Sequence, residues 1–231
     1  MRSLARTAAG LFLGLLLIAP GSALAQSVDI GSDFVSRYVW RGYDFGESFS
    51  VQPYLEYSQG GFALGTWASY AISPDAAGAN EHDLYASYSF GAVSIGVTDY
   101  YFPGPGAAGF FDYDSDGAGA HVIEPNVSLG GTESFPVTFY GAVNAYNDPD
   151  NSLYLQASYP FSLDGTDLSV TLGAVGNESA YYGTDGFAVT NIALSASYAI
   201  PITDGFELPL SATYVLNPDT ERTFLVFGIS L

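Results

Sequence analysis

The sequence contains no cysteine and no lysine, and its five arginines stand against 24 acidic residues. The absence of cysteine excludes disulfides, thiol catalysis and thiolate metal sites. The formal net charge is -19 over 231 residues. A chain this acidic repels nucleic acid, whose binding requires a positive surface. The protein is therefore not expected to bind nucleic acid or to be stapled by disulfides.

The only long apolar run lies at the start of the chain. Arg2 and Arg6 form a basic end, Leu11 to Ala19 an apolar centre, and Ala23-Leu24-Ala25 a small-residue cleavage site. This order is typical of a secretory signal peptide, which we predict for residues 1–25. A retained membrane helix is the alternative, but the run is too short to cross a bilayer comfortably. The exported chain would then carry three basic residues and a net charge of about -21.

After the signal, apolar and polar residues alternate with a period of two, which is the period of a β-strand. Between residues 28 and 41, one face carries Val28, Ile30, Phe34, Tyr38 and Trp40, and the other carries Asp29, Asp33, Arg37 and Arg41. The segment returning through residues 49–57 alternates in the same way, so the pair predicts a β-hairpin. Its polar face is narrow and rich in glycine, serine and tyrosine. This favours a strand with its apolar face in lipid and its polar face in a lumen.

Segments of about ten residues repeat this pattern, and ten residues suit a tilted strand that crosses a bilayer. We predict strands at 28–40, 48–58, 62–72, 82–90, 92–102, 121–130, 136–147, 152–163, 168–176, 187–200, 207–216 and 221–231. The predicted fold is all-β: a transmembrane, antiparallel, up-and-down β-barrel of about twelve strands, comprising residues 26–231 as one domain. A soluble β-sandwich is an alternative, and it would have to bury the apolar faces between two sheets.

The connections between these segments alternate in length. Short turns such as Gln59-Gly60-Gly61 and Pro201 to Gly205 fit the periplasmic end of an outer-membrane barrel. Long, acidic, glycine-rich connections, such as Pro103 to Ala120, fit the extracellular end. The last segment alternates up to Leu231 and resembles the C-terminal strand that the barrel assembly machinery binds, although a terminal Phe is the usual form. Expected partners are therefore that machinery, outer-membrane lipid and lipopolysaccharide.

A family resemblance lies in the first half of the chain. The residues that carry it are Ser36-Arg37-Tyr38-Val39-Trp40-Arg41-Gly42, then Gln52-Pro53, then Gly61-Phe62-Ala63-Leu64-Gly65-Thr66-Trp67-Ala68-Ser69. They resemble the TorF-type porin family of outer-membrane β-barrel proteins, and the match is good over residues 28–70. The resemblance implies an outer-membrane barrel with pore activity, and it implies no particular substrate.

The alternate positions that form the polar face of each predicted strand are expected to line the lumen. The predicted pore-lining residues are Asp33, Arg37, Arg41, Gln52, Tyr54, Glu56, Asp83, Tyr85, Glu124, Asn126, Tyr140, Asn144, Tyr154 and Gln156. Arg37 is expected to face Gln52, with Asp33 and Glu56 one pleat away. Two interpretations of the arginines stay open: a lumenal ladder of ion pairs that fixes register, or a constriction that selects solutes.

The sequence has 18 tyrosines, and some lie on the apolar face of a predicted strand while others lie on its polar face. Apolar-parity tyrosines near strand ends suit the aromatic girdles at the two bilayer interfaces; these are Tyr38, Tyr57, Tyr70, Tyr159 and Tyr198. Tyrosines of the opposite parity are expected to narrow the lumen; these are Tyr54, Tyr85, Tyr140, Tyr146 and Tyr154. Because eight strands leave room only for side chains and sixteen enclose a channel, twelve should enclose a slender passage.

Motifs for metal binding and catalysis are weak. Asp112, Asp114 and Asp116 imitate the start of a calcium loop, but position twelve is Ile123 and no helices flank the segment. A solvated acidic loop is favoured over loose Ca²⁺ or Mg²⁺ binding. His82 and His121 lack a nucleophile motif. We therefore predict no metal site, no cofactor and no enzyme activity.

The sequence thus predicts an outer-membrane porin: a narrow, passive channel for small hydrophilic solutes. Its acidic lumen and loops should give a weak cation preference. The alternative is a non-conducting structural or surface-binding barrel. The solute and the oligomeric state are left open.

Overall fold

The computed structural model describes residues 26–73, 80–104, 107–114 and 120–231. The predicted signal peptide and Asp116 lie outside these ranges. Within them are sixteen strands: β1 (Gln26–Val35), β2 (Val39–Trp40), β3 (Tyr43–Asp44), β4 (Ser50–Gln59), β5 (Phe62–Ala71), β6 (Glu81–Phe90), β7 (Val93–Tyr101), β8 (His121–Leu129), β9 (Thr138–Val143), β10 (Leu153–Leu163), β11 (Thr166–Val175), β12 (Glu178–Ser179), β13 (Thr184–Asp185), β14 (Ala188–Thr203), β15 (Phe206–Asn217) and β16 (Arg222–Ser230). No helix in these ranges has the length and apolarity to span a membrane.

Twelve of the strands form a closed antiparallel barrel, as the sequence predicts. Going round the barrel, the order is β1, β4 to β11, β14, β15, β16 and back to β1. The closing pair aligns Asp33 with Ser230 and Val35 with Gly228. Reciprocal backbone hydrogen bonds of 2.9 and 3.1 Å between Ser32 and Leu231 extend this seam. Closure matters because an open edge would present unpaired backbone groups.

The two faces of the wall have opposite chemistry. Large apolar side chains are exposed on the outside of every barrel strand, for example Leu64, Leu172 and Phe227 at 51, 51 and 56% exposure. The inward positions are mostly buried and polar, for example Asp83, Glu124 and Thr171. In a soluble sheet protein the apolar face would be the buried one. The apolar-out, polar-in orientation predicted from the alternation is therefore confirmed.

The connections separate into two kinds at opposite ends of the barrel. Turns at one end are short, and Gly91 adopts a φ of +64° in one of them. We call this the short-turn end; the other, with most of the longer connections, is the long-loop end. The predicted turn at Pro201 to Gly205 is shorter than expected, because β14 continues to Thr203. Likewise, the strand predicted at 136–147 is limited to Thr138–Val143.

The strand predicted at residues 28–40 is wrong in its second half. β1 ends at Val35, and residues 38–45 fold into the lumen as a short hairpin, β2–β3. Tyr38 and Trp40, predicted to face outward, are therefore inside the barrel. The error has a simple origin: the alternation continues without interruption from β1 into the hairpin, and periodicity cannot show that the chain has left the wall.

A second short hairpin, β12–β13, forms between β11 and β14. Its residues 178–185 lie at the long-loop end, where Ser179 is bonded to Ser152 at 2.5 Å. Tyr182 at its tip is buried against Tyr154 and Val175. The two hairpins therefore meet inside the same end of the lumen.

Candidate functional site in the barrel lumen

The first hairpin is shaped by a tight turn at Arg41 and Gly42. Both residues have positive φ, of 51° and 90°, and Phe45 N–H closes the hairpin on the carbonyl of Tyr38 at 2.8 Å. Gly42 lies against β14, where a Cβ atom would come within 1.8 Å of the Thr190 carbonyl oxygen. The amide of Asn217 donates to the Gly42 carbonyl at 3.2 Å. Only glycine fits this contact.

From this turn, Arg41 reaches across the lumen to Glu124 on β8. Its guanidinium donates to both carboxylate oxygens, at 2.6 and 2.9 Å. The same guanidinium donates to the Tyr182 hydroxyl at 2.5 Å and to the Tyr140 hydroxyl at 3.1 Å. One cation therefore joins β2–β3, β12–β13 and the wall strands β8 and β9.

Both charges of this pair are buried, with 8% of Arg41 and 1% of Glu124 exposed. Glu124 also accepts hydrogen bonds of 2.9 Å from the hydroxyls of Tyr100 and Tyr140. Burial opposes the charged form of Arg41, but the Glu124 carboxylate more than offsets it and raises the pKa of the guanidinium well above its usual value. Breaking such a pair on one side leaves an uncompensated buried charge, which is strongly destabilising.

Aromatic rings surround the guanidinium. It lies 4.2 Å from the ring centroid of Trp40 and 4.3 Å from that of Tyr154, distances at which cation–π attraction is appreciable. Trp40 stacks on Tyr182 with 5.9 Å between centroids and 16° between planes. We call this group the Arg41 cluster, and it comprises Trp40, Arg41, Tyr100, Glu124, Tyr140, Tyr154 and Tyr182. It restricts the lumen near the long-loop end.

A second contact holds the hairpin to β6. The Tyr38 hydroxyl donates to Glu81 at 3.0 Å, and its ring packs 5.4 Å from that of Trp67. Burial, and then the charge of Glu81, raise the pKa of Tyr38 well above its usual value, so the phenol stays a neutral donor. Asp83, 1% exposed, faces the same side of β6 and lies beside Glu81. The lumen therefore holds more buried acid than Arg41 can balance.

The register predicted for Arg37 is wrong. Gln52 pairs with Asp33 across β1 and β4, whereas Arg37 lies beyond the end of β1 and binds Asp44 of its own hairpin at 2.7 Å. Arg41 binds Glu124 on β8, whereas the expected ladder of ion pairs lay along β1 and β4. The arginines were predicted on the wall strand, and the inward turn after Val35 carries both of them away from it.

The other predicted pore-lining residues keep the predicted parity. Those on wall strands alternate with exposed apolar neighbours and face inward: Asp33, Gln52, Tyr54, Glu56, Asp83, Tyr85, Glu124, Asn126, Tyr140, Tyr154 and Gln156. Asn144 is buried just beyond β9. The hairpin brings Glu124, Tyr140 and Tyr154 together around Arg41, while Tyr85 binds Glu56 at 3.0 Å in a separate group.

The lumen wall has an acidic side and a neutral side. Carboxylates occupy inward positions on β1, β4, β6 and β8. In the middle of β10, β11, β14 and β15 the inward residues carry amides and hydroxyls instead, among them Gln156, Ser158, Thr171, Asn191, Ser195 and Thr213. We did not predict this division, although it could have been read from the residues at the inward positions of each strand.

The outward or inward facing predicted for the tyrosines is correct at most positions, whereas their place in aromatic girdles stays a prediction. Tyr57, Tyr70, Tyr159 and Tyr198 occupy outward positions. Tyr38 does not, since it binds Glu81 inside the lumen. The predicted narrowing by Tyr146 is also wrong: its hydroxyl binds the carbonyl of Tyr113 in the loop that follows β7. Tyr146 comes after β9, where the strand parity no longer applies.

Both histidines lie on outward positions near the long-loop end. His121 is buried under residues 107–114: Nδ1 contacts Asp99 at 2.8 Å and Nε2 contacts the Phe110 carbonyl at 2.7 Å. His82 bonds to the Tyr70 hydroxyl at 2.6 Å. No group of three or more potential metal ligands occurs in the described ranges. Each histidine therefore has structural partners outside the lumen.

The sequence analysis missed Tyr100 and Tyr182, which complete the Arg41 cluster. Tyr100 follows the inward parity of β7, so the pattern contained its signal. Tyr182 lies in a connection, where parity gives no orientation. Only the return of that loop into the lumen places it beside Arg41.

A comparison with known families gives a match over most of the barrel. A family model described as "Bacterial protein of unknown function (Gcw_chp)" matches residues 19–224. The chain belongs to the Gcw_chp family. No curated protein is similar enough to match it. The family description names no activity, so the resemblance to TorF-type porins stays a prediction.

Proposed function

We propose that this Gcw_chp protein is an outer-membrane porin that lets small hydrophilic solutes pass through a constricted lumen. The observation that carries the proposal is the closed twelve-strand barrel with apolar side chains outside and polar side chains inside. Lipid is the environment that favours this orientation, since a closed barrel satisfies its backbone hydrogen bonds internally. Outer-membrane lipid, lipopolysaccharide and the barrel assembly machinery are its proposed partners, and its role is passive.

A weak preference for cations belongs to the same proposal. Carboxylates on β1 and β4 face the lumen, and the chain has no lysine to balance them. Both arginines near the lumen are already paired with acids. An excess of fixed negative charge raises the local concentration of cations, and salt screens the effect. The preference should therefore fade as ionic strength rises.

One observation favours a second candidate, a barrel that does not conduct. The Arg41 cluster joins the neighbouring wall strands β7 to β10 to both hairpins, and its charges are almost fully buried. If this cluster never opens, the barrel is a structural or surface-binding protein. The width of the gap beside the Arg41 cluster, or the ability of the cluster to move, decides between a porin and a non-conducting barrel.

Planar-bilayer recordings of three proteins separate these candidates: the wild type, Arg41→Ala and Arg37→Ala. Arg37 is a matched control because it belongs to the same hairpin but binds Asp44 outside the cluster, with 36% of its side chain exposed. We expect small, cation-preferring steps from the wild type and from Arg37→Ala. We expect steps at least about twofold larger from Arg41→Ala, because the cross-lumen contact is lost.

Three results would each contradict one part of this proposal. The absence of conductance steps from the wild type at every voltage would favour the non-conducting barrel. Conductance of Arg41→Ala alone would strengthen that conclusion. Anion preference in the wild type would contradict the proposed role of the lumenal acids. Equal steps from all three proteins would show that the Arg41 cluster is not the constriction.

A further inference from the structure

A cavity lies beside the Arg41 cluster, where the neutral side of the wall begins. Its volume is about 70 Å³, and it is lined by Val39, Trp40, Arg41, Gly42, Tyr140, Tyr154, Gln156, Asn191, Ala193, Thr213, Val215 and Val226. A single water needs on the order of 10–15 Å³ of such space. The cavity therefore has room for several water-sized groups. A solute crossing the barrel would meet it next to the Arg41 cluster.

The cavity carries no net charge. None of its lining residues is acidic, and its one cation, Arg41, is held by both oxygens of Glu124. An anionic ligand would have to displace Glu124 from the guanidinium. A cationic ligand would find no carboxylate in the lining and would have to approach Arg41. The cavity therefore disfavours both anionic and cationic ligands. A neutral ligand meets neither obstacle.

The polar part of the lining is a continuous neutral hydrogen-bond chain. Asn191 donates to the Tyr154 hydroxyl at 3.4 Å, and Tyr154 donates to the Gln156 carbonyl oxygen at 3.0 Å. Gln156 in turn donates to Ser158 at 3.4 Å. An amide has two N–H donors and a carbonyl acceptor, so each amide in this chain keeps capacity for a further partner. Such groups recognise hydroxyls, which both donate and accept.

The remaining lining is apolar or aromatic. Val215 and Val226 are buried, and the indole of Trp40 closes the cavity beside them. Ligand pockets commonly combine an apolar surface with a few convergent polar groups, and the polar groups fix the orientation of the ligand. The molecule that suits this lining has hydroxyls on one side and C–H groups on the other.

We propose that this cavity binds neutral, polyhydroxylated solutes by taking in one edge of the molecule, a part of about glycerol size, held by Gln156 and Asn191 and packed against Trp40. The inference deepens the proposed porin function by naming a solute class, and it rests on that function for its biological meaning. Binding itself is independent of conduction. The acidic side of the lumen would gather cations, while the cavity retains neutral solutes.

The two tryptophans of the chain provide the test. Trp40 lines the cavity, whereas Trp67 lies on β5 and is not among the lining residues. In purified Trp67→Phe protein, Trp40 is the only fluorophore of its kind. We expect saturable fluorescence changes on titration with glucose or glycerol, and weaker responses to gluconate and glucosamine. Trp40→Phe protein, which keeps Trp67, should give no saturable response.

Substitutions separate recognition from general disturbance of the barrel. Gln156→Ala and Asn191→Ala should each weaken glucose binding by about tenfold, since each removes hydrogen bonds to a neutral ligand. Ser197→Ala is the matched control, because Ser197 is an inward residue of β14 outside the lining. Loss of a heat-modifiable barrel band would identify a variant that has failed to fold. If either Gln156→Ala or Asn191→Ala fails to fold, the other variant is used to test the contribution of the amides to glucose binding.

Liposome-swelling assays with the same sugars distinguish failure of the site from failure of the porin. Saturable binding without swelling would support the site and contradict the porin. Swelling without any response of Trp40 would support the porin and overturn the site. Tighter binding of gluconate or glucosamine than of glucose would overturn the argument from neutrality.

Discussion

At the scale of single residues, the lumen depends on a few side chains whose partners are distant in sequence. Arg41 and Glu124 are 83 positions apart, and Arg41 and Tyr182 are 141 apart. Gly42 is just as specific, since it allows the hairpin to touch the carbonyl of Thr190. A small change at these positions should therefore alter the lumen more than the wall.

Gly42→Ala tests this contact. The added methyl would collide with the Thr190 backbone, so the hairpin must move away from β14. We expect conductance steps to increase and thermal stability of the folded barrel to fall by about 1–3 kcal/mol, from the steric clash and the positive φ. Bilayer recordings and the temperature at which the compact gel band is lost would measure the two effects.

Gly91→Ala is the control for that substitution. Gly91 also has positive φ, but no other heavy atom lies within 4 Å of the position its Cβ would occupy. The alanine there should cost only the backbone strain, about 1 kcal/mol, and should leave conductance unchanged. If the two variants conduct alike, the hairpin does not set the width of the lumen.

At the scale of elements, the wall strands and the inward hairpins do different work. Wall strands pair with both neighbours and gain their stability from long, regular ladders. The hairpins β2–β3 and β12–β13 have only two register pairs each, and they depend on contacts with the wall and with one another. Two-stranded ribbons of this size are not stable alone. The lumen therefore provides the environment in which they can form.

The seam between β1 and β16 is the element-scale feature that closes the barrel, and it can be tested with paired cysteines because the chain has none. Asp33 and Ser230 are direct partners, next to the hydrogen-bonded pair Ser32 and Leu231. Non-hydrogen-bonded partners lie about 4.5 Å apart at Cα, within disulfide range. We expect Asp33→Cys with Ser230→Cys to cross-link on mild oxidation and to raise the unfolding temperature.

The control pair is Ser27→Cys with Ser230→Cys. Ser27 lies six positions before Asp33 on β1, about 20 Å away along the strand at 3.3 Å per residue. No cross-link should form. Efficient cross-linking of this control, or none in the Asp33 pair, would mean that the seam has another register.

At the scale of the whole molecule, the outer surface decides where the protein can reside. Apolar side chains are exposed on the outside of every wall strand, and the acidic groups stay inside or at the ends. In water such a surface would promote aggregation. In a bilayer the same apolar surface would be favourable, because it would contact the hydrocarbon chains of the lipids.

Val170 and Ser169 give a matched test of that surface, because they are adjacent in the middle of β11 and face opposite ways. Val170 is outward and 45% exposed, whereas Ser169 faces the lumen beside Ser195. Val170→Arg should reduce the free energy of folding into lipid vesicles by about 2–4 kcal/mol. Ser169→Arg should fold nearly as well as the wild type, because its charge stays in the aqueous lumen. Gel-shift assays of folding into vesicles would measure the folded fraction. Equal tolerance of both substitutions would argue against insertion.

The sequence allowed the wall to be predicted to a large extent. The alternation from Val28 to Phe227 indicated the number of wall strands, the face of nearly every residue in them and the inward parity of Glu124, Tyr140 and Tyr154. It could not give the hairpins. Tyr38 and Trp40 continue the alternation of β1 and yet face the lumen, and Tyr182 lies in a connection where no period exists.

The sequence by itself therefore determined the barrel, because a period of two with one apolar face is a local property that each strand carries alone. The tertiary structure decided what fills the barrel. Arg41 meets Glu124 and Tyr182 only after closure has brought β8 and two loops around a common axis. The reason is physical: strand parity depends on neighbours one or two residues away, whereas a cross-lumen ion pair depends on positions that only the closed wall brings together.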